Sequence, residues 1–307
     1  MRLLASFVMR GRSQAVMAIC VLALLSLLLP PLSVISSAAV ALVTLRRGLM
    51  DGLWVTLLGT AACALLALLV RMDVISVAGF TLLLWLPIWA LALMLRSSRS
   101  LALTTTVALL FGLLVILVYH VEFNDPVAEW RRLLEPYLQG FNQAQTLETG
   151  QQKLLLDVLS RWMTGLMAAG FFLQLVVSLL LARWWQSVLY YQGGFSREFH
   201  QLRLPRPLAV FTALVAGVLL LDVGIGGPML DYLAMLLITA YLLQGLALAH
   251  GIRAQLGVNP GWLFAMYIML LIAVPHMVIT LATVGVADAW LDLRSRIGNG
   301  KGSDGTS

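Results

Sequence analysis

Nine apolar stretches separated by short charged connections fill almost the whole chain, at residues 13–29, 33–45, 54–70, 74–95, 101–121, 162–182, 208–221, 232–249 and 262–283. Most are too long and too evenly apolar for barrel strands. In hydrocarbon a segment must satisfy its own backbone hydrogen bonds, which a helix does internally. The pattern therefore predicts an all-α fold, a polytopic transmembrane helical bundle of eight or nine segments. The stretch 33–45 is the exception in length, lying between Pro30-Pro31 and Arg46-Arg47. Thirteen residues reach about 20 Å, short of a ~30 Å core, so neighbours are expected to shield it.

The connections carry a second pattern. Residues 122–161 form one large acidic loop whose first part reads as a helix, with Asp125 as cap and Pro126 at the first helical position. Val127, Trp130, Leu133, Leu134, Tyr137 and Leu138 then recur at i, i+3 and i+4, predicting an amphipathic helix on the outer interface. In the loop 190–207, Phe195, Phe199, Leu202 and Leu204 alternate with Arg197, Glu198, His200 and Arg203, as in a segment lying on a bilayer or a partner surface. A glycine-rich turn falls between Asp222 and Asp231, either a solvated hairpin end or a binding lip. Residues 1–297 read as one integral membrane domain, and the polar tail 298–307 is expected to be disordered.

Charge sets the orientation. Threaded through nine segments, twelve of the 20 Lys/Arg fall on one side with only two of the 14 acids, Asp51 and Glu198. By the positive-inside rule that side is cytoplasmic, which puts the N-terminus inside and the C-terminal end outside. Arg294, Arg296 and Lys301 fit that last placement poorly. A signal peptide ending near Ser36-Ser37-Ala38-Ala39 would leave Arg46 and Arg47 outside, so the first segment is read as an anchor. The net charge of +6 follows loop sides and forms no basic face, which argues against nucleic acid. At 61% apolar and 11% charged residues, the chain takes membrane lipid as its first partner.

Few groups announce chemistry. His276 follows Pro275, which deprives the Leu271 carbonyl of its usual donor, and Thr280 lies one turn further on. Together with Thr283 they would make a polar node able to bind a small molecule; the plainer reading is a histidine bonded to a neighbouring helix. Gln174 and Gln244 are further intramembrane amides, with interhelical bonds as the default reading. Arg46 and Arg47 suit a docking site for a cytoplasmic protein or a lipid phosphate, and equally suit snorkelling anchors. Phe195, Arg197, Phe199 and Arg203 are candidates for the same kind of contact. Cys20 and Cys63 lie inside apolar stretches and read as small hydrophobes. Nucleotide loop, metal-ligand spacing, nucleophile elbow and paired intramembrane carboxylates are all missing from the pattern, so neither cofactor, metal nor enzymatic role is expected.

Three segments carry a resemblance. They are Leu28-Leu29-Pro30-Pro31 through Leu45-Arg46-Arg47-Gly48, then Gly193-Gly194-Phe195 with Glu198-Phe199 and Leu202-Arg203-Leu204-Pro205, and lastly Gly285-Val286-Ala287-Asp288-Ala289-Trp290-Leu291-Asp292-Leu293-Arg294. In these the chain resembles the YybS-like family of bacterial membrane proteins, which is distantly similar to the S components of energy-coupling-factor transporters. The resemblance implies an inner-membrane bundle with an S-component-like core that binds a small molecule. Two readings stand: a transporter-like component needing a cytoplasmic energising partner, or a non-transporting scaffold whose loops recruit proteins.

Overall fold

The computed structural model describes residues 1–142, 149–221 and 226–294. The Asp222 end of the glycine-rich turn, Arg296, Lys301 and the tail 298–307 lie outside the described residues.

Within them the chain forms thirteen helices and no strand. In order these are α1 Arg2–Val8, α2 Arg12–Leu25, α3 Leu32–Arg47, α4 Leu49–Leu69, α5 Val74–Ser98, α6 Leu101–Glu122 and α7 Pro126–Asn142. They continue with α8 Thr149–Tyr190, α9 Gly194–His200, α10 Arg206–Leu220, α11 Gly227–Leu256, α12 Gly261–Ile272 and α13 Val274–Leu291. Six of them, α4, α5, α6, α8, α11 and α13, are long and apolar enough to cross a membrane; α2, α10 and α12 are apolar but shorter. The helices divide between two compact units, one of residues 1–108 and 173–202, the other of residues 109–172 and 203 onward.

In the first unit α3 is the central element. Its sixteen residues are still short of a full span, and every residue from Ser36 to Leu45 is buried. Small side chains allow this close packing, and their hydroxyls are used across helices. Ser36 donates to the Ile19 carbonyl (2.9 Å) and accepts from the Trp85 indole (3.0 Å), while Ser37 donates to the Leu84 carbonyl (3.4 Å). The helix ends at Gly48, whose φ of 106° turns the chain into α4. Arg96 from α5 donates at 2.8 Å to the Leu45 carbonyl in the last turn, capping that end. Helix α5 starts at Asp73, whose carboxylate accepts from the Ser76 backbone N–H at 2.8 Å. The Ser76 hydroxyl and N–H hold the Asp73 carboxyl below its ordinary range.

The second unit departs from the sequence pattern in two places. Helix α7 forms where expected, with Asp125 accepting from the N–H groups of Val127 (3.0 Å) and Ala128 (3.1 Å). Residues 149–161 of the expected loop are the first third of α8, which begins at Thr149 and not at Trp162, and 143–148 lie outside the described residues. Gln151, Gln152 and Lys153 lower hydropathy there but are good helix formers, so polarity alone misplaces the helix start. The apolar face of α7 folds back on α6 and α8. Trp130 donates to the Thr164 hydroxyl (2.9 Å) and stacks on Tyr119 (5.5 Å), and Arg131 pairs with Asp157.

The stretch 262–283 is not one helix. It breaks at Ala273, whose φ −116° and ψ 51° are outside the helical region, into α12 and α13. Pro275 has no N–H for the Leu271 carbonyl and its ring would crowd that group in a continuous helix; in the first turn of a new helix neither is a cost, and α13 starts there. Helix α13 then runs on to Leu291, past the end of the apolar stretch at 283.

Candidate functional site

The tightest helix contact in the second unit is between α11 and α13. A Cβ on Gly245 would lie 2.1 Å from the Leu281 carbonyl oxygen, and one on Gly285 would lie 2.3 Å from that of Tyr241. Only glycine permits this approach. The pairs 245 with 281 and 241 with 285 make the two helices antiparallel.

Beside that crossing stands Gln244, fully buried. Its carbonyl accepts from the Leu204 backbone N–H at 2.8 Å, and its amide donates to the Gly285 carbonyl (2.8 Å) and to Asp288 (3.4 Å). Asp288 is also fully buried and is the centre of a charge cluster. One carboxylate oxygen is 3.1 Å from the Arg294 guanidinium and the other 3.7 Å from that of Arg203. Arg203 reaches Asp292 at 2.5 Å. Two guanidinium groups and two carboxylates balance around the one fully buried ion, Asp288, with Arg203 and Asp292 reaching the partly exposed edge.

The depth of this cluster follows from α11. Asp231, held by Arg161 at 2.8 Å, marks one end of its apolar run and Arg253 the other. The 22 residue steps from one to the other rise about 33 Å, close to the thickness of a hydrocarbon core. Gln244 is nine residues, about 13 Å, inside the Arg253 end. Along α11, Gln244 therefore lies well inside the apolar run, and in hydrocarbon ionisable groups at such a level are costly and pair with one another.

This corrects the sequence reading of Arg203. The expected surface loop does not stay on a surface at its end: Leu202 and Leu204 are each 2% exposed, and Arg203 is paired. Asp288 is on α13, and Asp292, the half-exposed residue that ends this helix, meets the same Arg203. The segments at Leu202–Pro205 and Gly285–Arg294, which carry two parts of the family resemblance, meet in this one cluster.

The other candidates are placed elsewhere. The His276 and Thr280 side chains are exposed, and the Thr280 hydroxyl bonds only the His276 carbonyl of its own helix at 2.8 Å. Gln174 belongs to the first unit, where it accepts from Ser33 (3.2 Å) and donates to Ser37 (3.4 Å). The four residues His276, Thr280, Gln244 and Gln174 are not gathered into one node. In the first unit Arg46 lies 4.3 Å over the Tyr190 ring, and Arg47 donates to the Met9 carbonyl at 2.5 Å. On α9, Phe195 and Phe199 stack on each other (5.9 Å), Arg197 is exposed, and Glu198 binds Arg183 in a two-point pair at 2.8 and 2.5 Å.

A cleft of about 440 Å³ opens among α11, α12 and α13, beginning at Gly245 and Val284 beside the cluster. Ile252, Trp262, Met266, Met269 and Met277 line it, and its walls are almost wholly apolar.

Among the described residues the chain is all-helical, with six helices long and apolar enough to cross a membrane. A family model described as "Predicted membrane protein (DUF2232)" matches residues 17–289, and the chain belongs to that family. No curated protein and no solved structure matches the chain.

Proposed function

We propose that this protein is a transporter-like component of the bacterial inner membrane that binds a small apolar molecule in the cleft among α11, α12 and α13, with no enzymatic role. The cleft carries the reading. Its volume of about 440 Å³ falls in the usual range for ligand pockets, ~300–1,000 Å³. Its apolar walls match a lipophilic ligand, and methionine thioethers adapt to irregular shapes. The cluster around Asp288 fixes the α11–α13 wall and supplies no lining group.

In this reading the chain is YybS-like, with an S-component-like core and nine membrane segments formed by the six long helices together with α2, α3 and α10. The N-terminus is cytoplasmic. Antiparallel packing of α13 on α11 carries the last segment outward. The surface with Arg46, Arg47, Arg197 and the Phe195–Phe199 pair takes a cytoplasmic energising partner.

The experiment is mass spectrometry of small molecules extracted from the purified protein and from Met266→Trp, which fills the cleft. A lipophilic compound present in the first and depleted at least tenfold in the second supports the reading. Equal amounts in both, or none in either, reject it.

One observation favours the scaffold alternative: Gln174 and Gln244 are both spent on bonds between structural elements, as in a bundle built for packing. Crosslinking from Phe199 that traps a defined protein band, in a chain that copurifies with no ligand, would select it.

A further inference from the structure

In the first unit α2 has 14 residues, about 21 Å, and α4 has 21, about 31 Å, so α2 stops short. At that end a groove of about 270 Å³ lies among α2, α4 and α5, open on one side and almost wholly apolar. Leu24 and Leu27 form one wall, Leu66 and Val70 the second, and Phe80 belongs to the third, with Cys63 also in the lining.

At the end of α4 two lining residues, Val70 and Met72, flank Arg71. Arg71 is exposed and takes the left-handed conformation, φ 59°, at the position that ends the helix. The Met72 N–H returns to the Ala67 carbonyl at 2.8 Å, closing the turn. Glycine takes this conformation without strain, so the arginine between two lining residues keeps a cation beside the groove against a backbone preference. Among the described residues no carboxylate forms an ion pair with it. Asp73, two residues on, is engaged as the cap of α5.

An apolar slot open to the bilayer with a guanidinium at its mouth has the chemistry of one lipid molecule. We propose that this groove is a specific phospholipid site, with an acyl chain lying between Leu27, Leu66 and Phe80 and the phosphate bound by Arg71. The occupant comes from the leaflet that faces the α4–α5 turn. The site is separate from the α11–α12–α13 cleft and does not depend on it.

The test uses the full-length protein in mild detergent with added phosphatidylglycerol, followed by native mass spectrometry. The wild-type chain is expected to retain one phosphatidylglycerol through gas-phase activation. Arg71→Gln is expected to lower that occupancy at least fivefold. Leu27→Trp, a change at an exposed groove edge, is expected to lower it similarly, and matched thermal unfolding confirms that both variants are folded. A parallel arm offers oleic acid, which has the chain but no phosphate. Equal phosphatidylglycerol retention in the wild type and Arg71→Gln overturns the proposal, as does retention of oleic acid in preference to the phospholipid.

Discussion

Arginine does opposite work in the two units. In the first, Arg46, Arg47 and Arg96 sit at the end of α3, over an aromatic ring or on the carbonyls of Met9 and Leu45. Their long stems carry the charge to a helix terminus, where the backbone dipole favours it. In the second unit Arg203 and Arg294 enter the apolar interior and are neutralised by Asp288 and Asp292. The amides divide in the same way. Gln174 is only partly buried and shares hydroxyls that have other partners, whereas Gln244 alone satisfies the Leu204 N–H. The lesson is that residue type does not set the energetic weight of a polar group. Weight comes from how completely water is excluded and from whether a second partner is within reach.

The comparison is broken most severely by Asp288→Leu. Two guanidinium groups would then face one exposed carboxylate, and the loss is expected to be about 3–5 kcal/mol, read by unfolding in detergent or by steric trapping. Arg294→Met added to Asp288→Leu is expected to recover most of that loss, because Arg294 is the buried guanidinium that loses its 3.1 Å partner, whereas Arg203 keeps Asp292. If the double variant is as unstable as the single one, Arg294 and Asp288 are not coupled.

Gln244→Leu is next. It leaves the Leu204 N–H without its bond and is expected to cost roughly 1–3 kcal/mol. Gln174→Leu, its counterpart, is expected to cost about 1 kcal/mol or less, since Ser33 and Ser37 also bond the carbonyls of Pro30 and Leu84. Equal losses in the two variants would remove the distinction between the units.

Arg46→Gln, which removes the cation from the Tyr190 ring, is expected to cost no more than about 1 kcal/mol in the same unfolding assay. The smallest effect belongs to Asp73. Its carboxyl is held below the usual range by Ser76, so the capping contribution is present at neutral pH and lost only as pH falls through that lowered value. Asp73→Asn should slightly flatten the acid limb of the stability curve and leave neutral pH unchanged.

His276→Phe sharpens the contrast from the other direction. With an exposed side chain and no polar neighbour gathered around it, the substitution is expected to leave stability and any bound lipophile unaltered. A fall in either would return the histidine to the site.

The sequence alone determined that the chain is helical and multi-pass, because apolar run length and backbone satisfaction in hydrocarbon leave little choice. It also located the cap at Asp125, the break at Pro30-Pro31 and the need to shield 33–45, all consequences of neighbours within a turn or two. Only the tertiary structure decided which polar groups matter. Arg203 and Asp288 are 85 residues apart, and an apolar helix such as α13 has no stripe to show which face is buried. Gly245 and Gly285 become informative only when the two backbones are seen to touch. The same limit holds for His276, whose exposed side chain the sequence could not show: depth along a helix is legible from hydropathy, but direction around it is set by the neighbours that the fold supplies.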